Sequence, residues 1–286
     1  MTTDTLRAIG WMVLSMAAFA VNDFFIKQVT GALPPGQLIV LVSGGCAMVF
    51  AALCLRARLP LRSAGMVHPL VVLRSGGEVV ATLSYVSALA LVPLSLTSAI
   101  VQVQPLFVTA GAAIWLGERV GPVRWGLVLT GLLGVLLMLQ PGADGFRWPA
   151  LLVVLAALGL AARDLASRRV PDHISNLQLA FWAFSGLFVF ALVMAWIQGR
   201  WMPLDRRALL GLAGTVCAFV LAYLCLMRAT RIGEVSAVIP FRYTRLFFAL
   251  LLAIVFLGER PDPLTLVGAV IVVASGLVGW LRERRI

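Results

Sequence analysis

Charge is scarce in this chain. Asp, Glu, Lys and Arg make up only 12% of its 286 residues, where a soluble domain carries about 25%. Acidic residues are the scarcer kind, 12 against 23 basic, for a net charge of +11. Histidine occurs twice, and Cys46, Cys54, Cys217 and Cys225 stand singly in apolar stretches without CxxC spacing. That pattern implies no metal set, no disulfide framework and no bound cofactor. No P-loop is present, so ATP drive would need a separate partner. The first residues contain no small-residue cleavage site ahead of an apolar run that holds Asn22 and Asp23. The expectation is a retained first helix, not a signal peptide.

What fills the chain is apolar. Hydrophobic residues reach 61% and the mean hydropathy is +1.00. This excludes a soluble enzyme, a disordered chain and a nucleic-acid-binding protein. Apolar runs of helical length fall near 7–27, 34–55, 69–91, 94–116, 121–140, 149–168, 176–198, 206–228, 234–257 and 263–281. Each is long enough to cross about 30 Å of hydrocarbon at about 1.5 Å per residue. The breaks are marked by Pro34, Pro35, Pro93, Pro122, Pro141, Pro171, Pro203 and Pro261. The reading is an all-α integral membrane protein with ten transmembrane helices.

The net positive charge then becomes a topology signal. With the N-terminus inside, the inner segments hold Arg7, Arg56, Arg58, Arg62, Arg119, Arg124, Arg168, Arg169, Arg228, Arg231, Arg282, Arg284 and Arg285. The outer segments hold only Lys27, Arg147, Arg200, Arg206, Arg207 and Arg260. Short cytoplasmic loops collect Arg and Lys, so both termini are expected in the cytoplasm, in a bacterial inner membrane. The Arg200, Arg206, Arg207 loop runs against the rule.

An internal repeat is the most specific feature. Leu116-Gly117-Glu118-Arg119 recurs as Leu257-Gly258-Glu259-Arg260, an offset of 141. The same offset joins Ala88 to Ala229, Ser95 to Ser236, Phe107 to Phe248, Asp23 to Asp164, Lys27 to Arg168 and Gln37 to Gln178. The halves are 1–141 and 142–286, five spans each. An odd number of spans makes the second half enter the membrane inverted. Inverted five-helix repeats are an architecture of alternating-access carriers, with the site near the midplane.

The chain resembles the drug/metabolite transporter superfamily, in particular the ten-span, EamA-type carriers. The resemblance is carried by two halves whose fourth spans read Pro105-Leu106-Phe107 through Leu116-Gly117-Glu118 and Pro240-Phe241 through Leu257-Gly258-Glu259. A Gly-rich last span follows each, Gly126 to Gly134 and Gly268 to Gly279. The resemblance covers the whole chain and implies fold and transport. It does not name a substrate, and it favours export.

Ionisable groups inside spans are costly and usually face a cavity or a partner. Arg242, Tyr243 and Arg245 follow Pro240, which removes a backbone donor and can open the helix. Two arginines three apart suit bidentate binding of carboxylate or phosphate; alternatively they pair with Glu78 and Asp164 as helix staples. Four in-span arginines (Arg74, Arg163, Arg242, Arg245) face three in-span acids (Asp23, Glu78, Asp164), leaving one positive charge for a substrate anion. Arg74 and Glu78 share a face at i,i+4; they form either a self-satisfied pair or a counter-charge and proton acceptor. Asp23 with Lys27, and Asp164 with Arg168 beside Arg163, are repeat-related pairs. They read either as two gates or as helix-end ion pairs. Gln102 and Gln104, repeat partners of the Arg242 region, line a cavity or bridge helices. Gly126, Thr130 and Gly134 form a stripe for close helix packing.

The expected function is a secondary or facilitative carrier of a small polar or anionic metabolite, exporting it by alternating access. Protons are a candidate coupling ion, and facilitated diffusion is equally compatible. An importer of a vitamin or other nutrient is the rival within the class. A membrane-embedded lipid-handling protein or enzyme is the rival outside it, but no His or Cys lies beside the Arg/carboxylate pairs to serve as nucleophile or metal ligand.

Overall fold

The computed structural model describes residues 3–115, 117, 121–140, 148–171, 173–232 and 238–283. Leu116 and Glu118 of the first LGER motif lie outside them. Among the described residues the regular structure is entirely helical. The helices are α1 (Thr3–Val29), α2 (Pro35–Arg56), α3 (Pro69–Leu91), α4 (Leu94–Val101), α5 (Gln104–Trp115), α6 (Pro122–Leu139), α7 (Leu151–Ser167), α8 (Asn176–Gln198), α9 (Arg206–Ile232), α10 (Thr244–Leu257) and α11 (Pro263–Glu283). A 3-10 segment, Ile239–Tyr243, leads directly into α10.

Local chemistry sets the ends. Pro35, Pro69 and Pro122 open their helices, where a missing N–H costs nothing. Ser175 and Gln178 form a reciprocal capping box at the start of α8. Gly199 and Gly258 end α8 and α10 in the left-handed conformation. Eight helical stretches among the described residues, one of them α4 and α5 taken together, are long and apolar enough to cross a membrane. The outward faces agree. Val189, Phe190, Val193 and Ile197 on α8, and Phe247, Leu251, Ile254 and Val255 on α10, are exposed. A face so apolar is stable against lipid and not against water.

The core forms by pairing helices far apart in the chain: α1 with α9, α3 with α7, α2 with α8 and α6 with α11. Glycines decide how near two of these pairs come. A Cβ at Gly77 would lie 2.7 Å from the Gly159 carbonyl, and one at Gly159 would lie 2.8 Å from the Gly77 carbonyl. The α3 and α7 backbones therefore touch one residue before Glu78. Gly134 and Gly268 bring α6 and α11 together in the same way. Gly126 meets nothing, and the Thr130 hydroxyl binds the Gly126 carbonyl at 2.8 Å. The expected packing stripe is thus corrected to Gly131 and Gly134, since the face of α6 that meets other helices begins a turn later.

Two loop-to-helix contacts also follow the repeat. The Gln37 amide donates to Met202 O at 2.7 Å, and the Gln178 amide donates to Pro60 O at 2.8 Å. Each glutamine holds a connecting segment from the opposite half of the chain.

Candidate functional site

One expected span is interrupted in mid-course, and a second passes through 3-10 geometry before its α-helix. The expected run 94–116 breaks between α4 and α5 at Gln102 and Val103. The expected run 234–257 changes from 3-10 to α geometry at Tyr243 and Thr244. The 141-residue offset carries Gln102 onto Tyr243 and Gln104 onto Arg245, so the two changes of geometry coincide in the repeat. Breaks at membrane depth are tolerated where they border a cavity. Here they border two.

The larger cavity, about 390 Å³, is bounded by Met12, Arg74, Arg163, Asp164, Arg242 and Trp280 among others. The smaller, about 130 Å³, is bounded by Asp23, Glu78, Tyr85, Gln102, Gln104 and Arg245 among others. Arg163, Arg242 and Tyr243 line both, so they stand at the partition.

The in-span charges gather into two groups. Asp23, fully buried, accepts from Arg245 Nε at 3.1 Å and Nη2 at 2.6 Å. The Tyr85 hydroxyl donates to the same carboxylate at 3.0 Å, and the Asn22 amide donates to its other oxygen at 3.3 Å. The Arg245 guanidinium also lies over the rings of Phe19 and Tyr85, at 5.4 and 5.6 Å. This group is electrically neutral.

The second group is larger. Arg163 binds Asp164 at 2.8 Å and Glu78 at 3.2 Å. Arg74 reaches Glu78 at 3.9 Å, donates to Leu179 O at 2.8 Å and to the Tyr223 hydroxyl at 3.3 Å. Its Nε is buried without a hydrogen-bond partner among the described residues. Gln104 donates to Asp164 at 2.8 Å. Arg242 approaches Asp164 only at 3.4 Å and is 29% exposed, the most open of the in-span arginines that form ion pairs. Three arginines meet two carboxylates here. The surplus positive charge counted in the sequence therefore sits in this group, beside the larger cavity.

The groups are versions of one arrangement. The offset carries Asn22, Asp23 and Gln104 onto Arg163, Asp164 and Arg245. Each aspartate is held by its preceding residue and by a residue just past the change of geometry within a span of the other half.

Several expected pairings are corrected. Of the expected partners Glu78 and Asp164, Arg242 meets Asp164 on α7, but Arg245 turns instead to Asp23 on α1. Lys27 does not hold Asp23. Its Nζ donates to Leu89 O and Val92 O at 2.7 and 2.8 Å, because the C-terminus of α3 presents unpaired carbonyls there. Asp164 lines the larger cavity and is held by Arg163, Arg242 and Gln104, while Arg168 lines the same cavity one turn further along.

Sequence reasoning passed over Tyr85 and Tyr223. The chain has only three tyrosines, and all three border the cavities, so their scarcity was the available signal. It also passed over Glu259, noted only as part of a repeat. The Glu259 carboxylate accepts from the backbone N–H of Leu94 and Ser95 at 2.7 and 2.9 Å.

Comparison with known proteins adds the following. The model of the EamA-like transporter family matches residues 6–140 and 147–278. The chain is 30% identical to a riboflavin transporter of Rhizobium johnstonii over 96% of this chain and 91% of that protein. It is 25% identical to an S-adenosylmethionine uptake transporter of Rickettsia conorii, covering 98% and 94% of the two chains. It is also 25% identical to a pseudopaline exporter of Pseudomonas aeruginosa, covering 96% of each. A solved structure superposes with a TM-score of 0.65 at 21% identity, covering 98% of this chain and 99% of the other, a likeness of fold.

Proposed function

Because the chain belongs to the EamA-like transporter family and is a multi-pass membrane protein that moves small metabolites, we propose a specific carrier mechanism for it. Ten spans form two inverted five-helix halves, 1–141 and 142–286, and the substrate crosses between them by alternating access. Two features support the inversion. The family model matches twice, and the offset exchanges the α1–α9 pairing with the α3–α7 pairing. These irregular spans match the broken helices that line sites in inverted-repeat carriers.

The substrate is a small organic metabolite bearing a carboxylate or phosphate. The observation that carries this reading is the group of Arg74, Arg163 and Arg242 against Glu78 and Asp164 at the larger cavity. An unbalanced buried charge is expensive and calls for a mobile counter-ion. Arg242 is its docking point, being partly exposed and only loosely bound to Asp164. The planar guanidinium donates two parallel hydrogen bonds to such a group.

Export is the favoured direction. The larger cavity is lined by Met12, Leu127, Arg168, Asn176 and Trp280, residues at the helix ends that the Arg/Lys bias assigns to the cytoplasm. This conformation therefore faces inside, the state in which an exporter loads and an importer unloads, and the preference for export rests on the family resemblance. Uptake is the second reading, favoured by relatives named for uptake. The match to a family of transporters supports a carrier over an enzyme.

The test is a thermal-shift screen of the purified protein against a metabolite library, followed by flux of the hits in oriented proteoliposomes. Anionic hits transported from the cytoplasmic face are expected. Hits confined to cations, transported equally by Arg242→Gln, would overturn the anion site.

A further inference from the structure

The turn joining α3 to α4 is gripped at both ends by charged side chains from elsewhere. Only Val92 and Pro93 separate the two helices. On one side Lys27 Nζ donates to Leu89 O and Val92 O at 2.7 and 2.8 Å. On the other, the Glu259 carboxylate takes the first two amides of α4, Leu94 at 2.7 Å and Ser95 at 2.9 Å. A cation on the last carbonyls of a helix and an anion on the first amides of the next is the arrangement that both helix dipoles favour.

The two clamps come from opposite halves of the chain. Lys27 is on α1. Glu259 stands in the turn between α10 and α11, and its position depends on Gly258. That glycine takes φ +65°, stops α10 and folds the backbone so that Glu259 N–H bonds Ala253 O at 3.0 Å. The Leu-Gly-Glu motif thus has a physical content: leucine ends the helix, glycine turns it and glutamate reaches across to the other half. Ile26, adjacent to Lys27, and Leu38 and Val86 line the smaller cavity toward this same end. The larger cavity is lined by the opposite helix ends.

We propose that Lys27 and Glu259 form a latch that closes the smaller cavity at the α3–α4 turn and must release before a substrate can pass on that side. The proposal rests on the alternating-access reading and adds to it the contacts that hold one side shut. Release leaves the α4 amides and α3 carbonyls to water, which can enter once the halves part, so no buried group is orphaned in the open state.

The test needs no substrate. The four native cysteines are replaced, and a probe is introduced as Thr82→Cys in the smaller cavity or as Thr109→Cys in the larger. Oriented vesicles are treated with a membrane-impermeant maleimide from each side. Glu259→Gln and Lys27→Met should each speed labelling of Thr82→Cys from the α3–α4 side by about tenfold, the factor given by ~1.4 kcal/mol. Labelling of Thr109→Cys from the other side should stay level or fall. Lys27→Arg, which keeps a cationic donor, should label like the parent. Unchanged labelling of Thr82→Cys in both latch variants overturns the latch, as does an equal rise at both probes, which marks general loosening. Failure of the alternating-access reading has a different signature: both probes label from the same side in the parent chain.

Discussion

Arg242 and Arg245 are three residues apart, yet their replacement should have opposite consequences. Arg245 makes two hydrogen bonds to Asp23, at 3.1 and 2.6 Å, and is only 16% exposed. Asp23 itself is 1% exposed at its side chain, so Arg245→Gln leaves a buried carboxylate with Tyr85 and Asn22 but without its cation. Breaking one side of such a pair costs about 3–5 kcal/mol. At about 2–4 °C per kcal/mol for a chain of this size, melting in detergent should fall by on the order of 10 °C. Arg242 is 29% exposed and meets Asp164 at 3.4 Å, while Arg163 and Gln104 continue to hold that carboxylate. Arg242→Gln should therefore cost about 1 kcal/mol or less and leave the melting curve near the parent's. Its effect belongs to transport, which should drop by at least about 100-fold if it removes ~3 kcal/mol of charge-assisted binding. Fluorescence-detected size exclusion after heating gives stability, and proteoliposome flux gives transport. The double variant Asp23→Asn with Arg245→Gln should recover much of the stability lost in Arg245→Gln, since no unpaired charge remains. Equal destabilisation by Arg242→Gln and Arg245→Gln, or full flux in Arg242→Gln, would refute this division of labour.

Arg242→Lys should restore transport only in part, because an ammonium lacks the planar fork; flux at saturating substrate measures it. Gly77→Ala should cost about 1–3 kcal/mol of stability through overpacking and so lower the melting temperature. Its Cβ meets the Gly159 carbonyl and the Arg163 backbone at 2.7 and 2.9 Å, and neither can yield without parting Glu78 from Arg163. Wild-type stability and flux in Gly77→Ala would contradict the close crossing. Reporter fusions after Gln140 and after His173 should report opposite faces of the membrane, and agreement between them would end the inverted-repeat reading.

How much of this was legible in the sequence depends on how local the cause is. Membrane character follows from composition, and helix limits follow from prolines, glycines and apolar runs. The runs at 69–91 and 176–198 match α3 and α8 end to end. The ionisable residues were legible too, since a charge within an apolar run stands out whatever it touches. The one-charge surplus needed only a count. Partners were not legible. Arg245 and Asp23 are 222 positions apart, and Glu259 meets Leu94 across 165. Such pairs exist only once α1 lies against α10, and α4 against the α10–α11 turn. Periodicity placed Lys27 one turn from Asp23, but the unpaired carbonyls of α3 took it. Arg242 and Arg245 stand one turn apart, as the sequence implies, yet one reaches Asp164 on α7 and the other Asp23 on α1, because helices distant in the chain meet beside them. Glycine contacts such as Gly77 with Gly159 depend likewise on which backbones cross. The sequence determined which groups had to be satisfied inside the membrane, because desolvation acts on each residue where it stands. Only the tertiary structure decided what satisfies them, because hydrogen bonds and ion pairs act over a few ångströms and the packing of distant helices sets those distances.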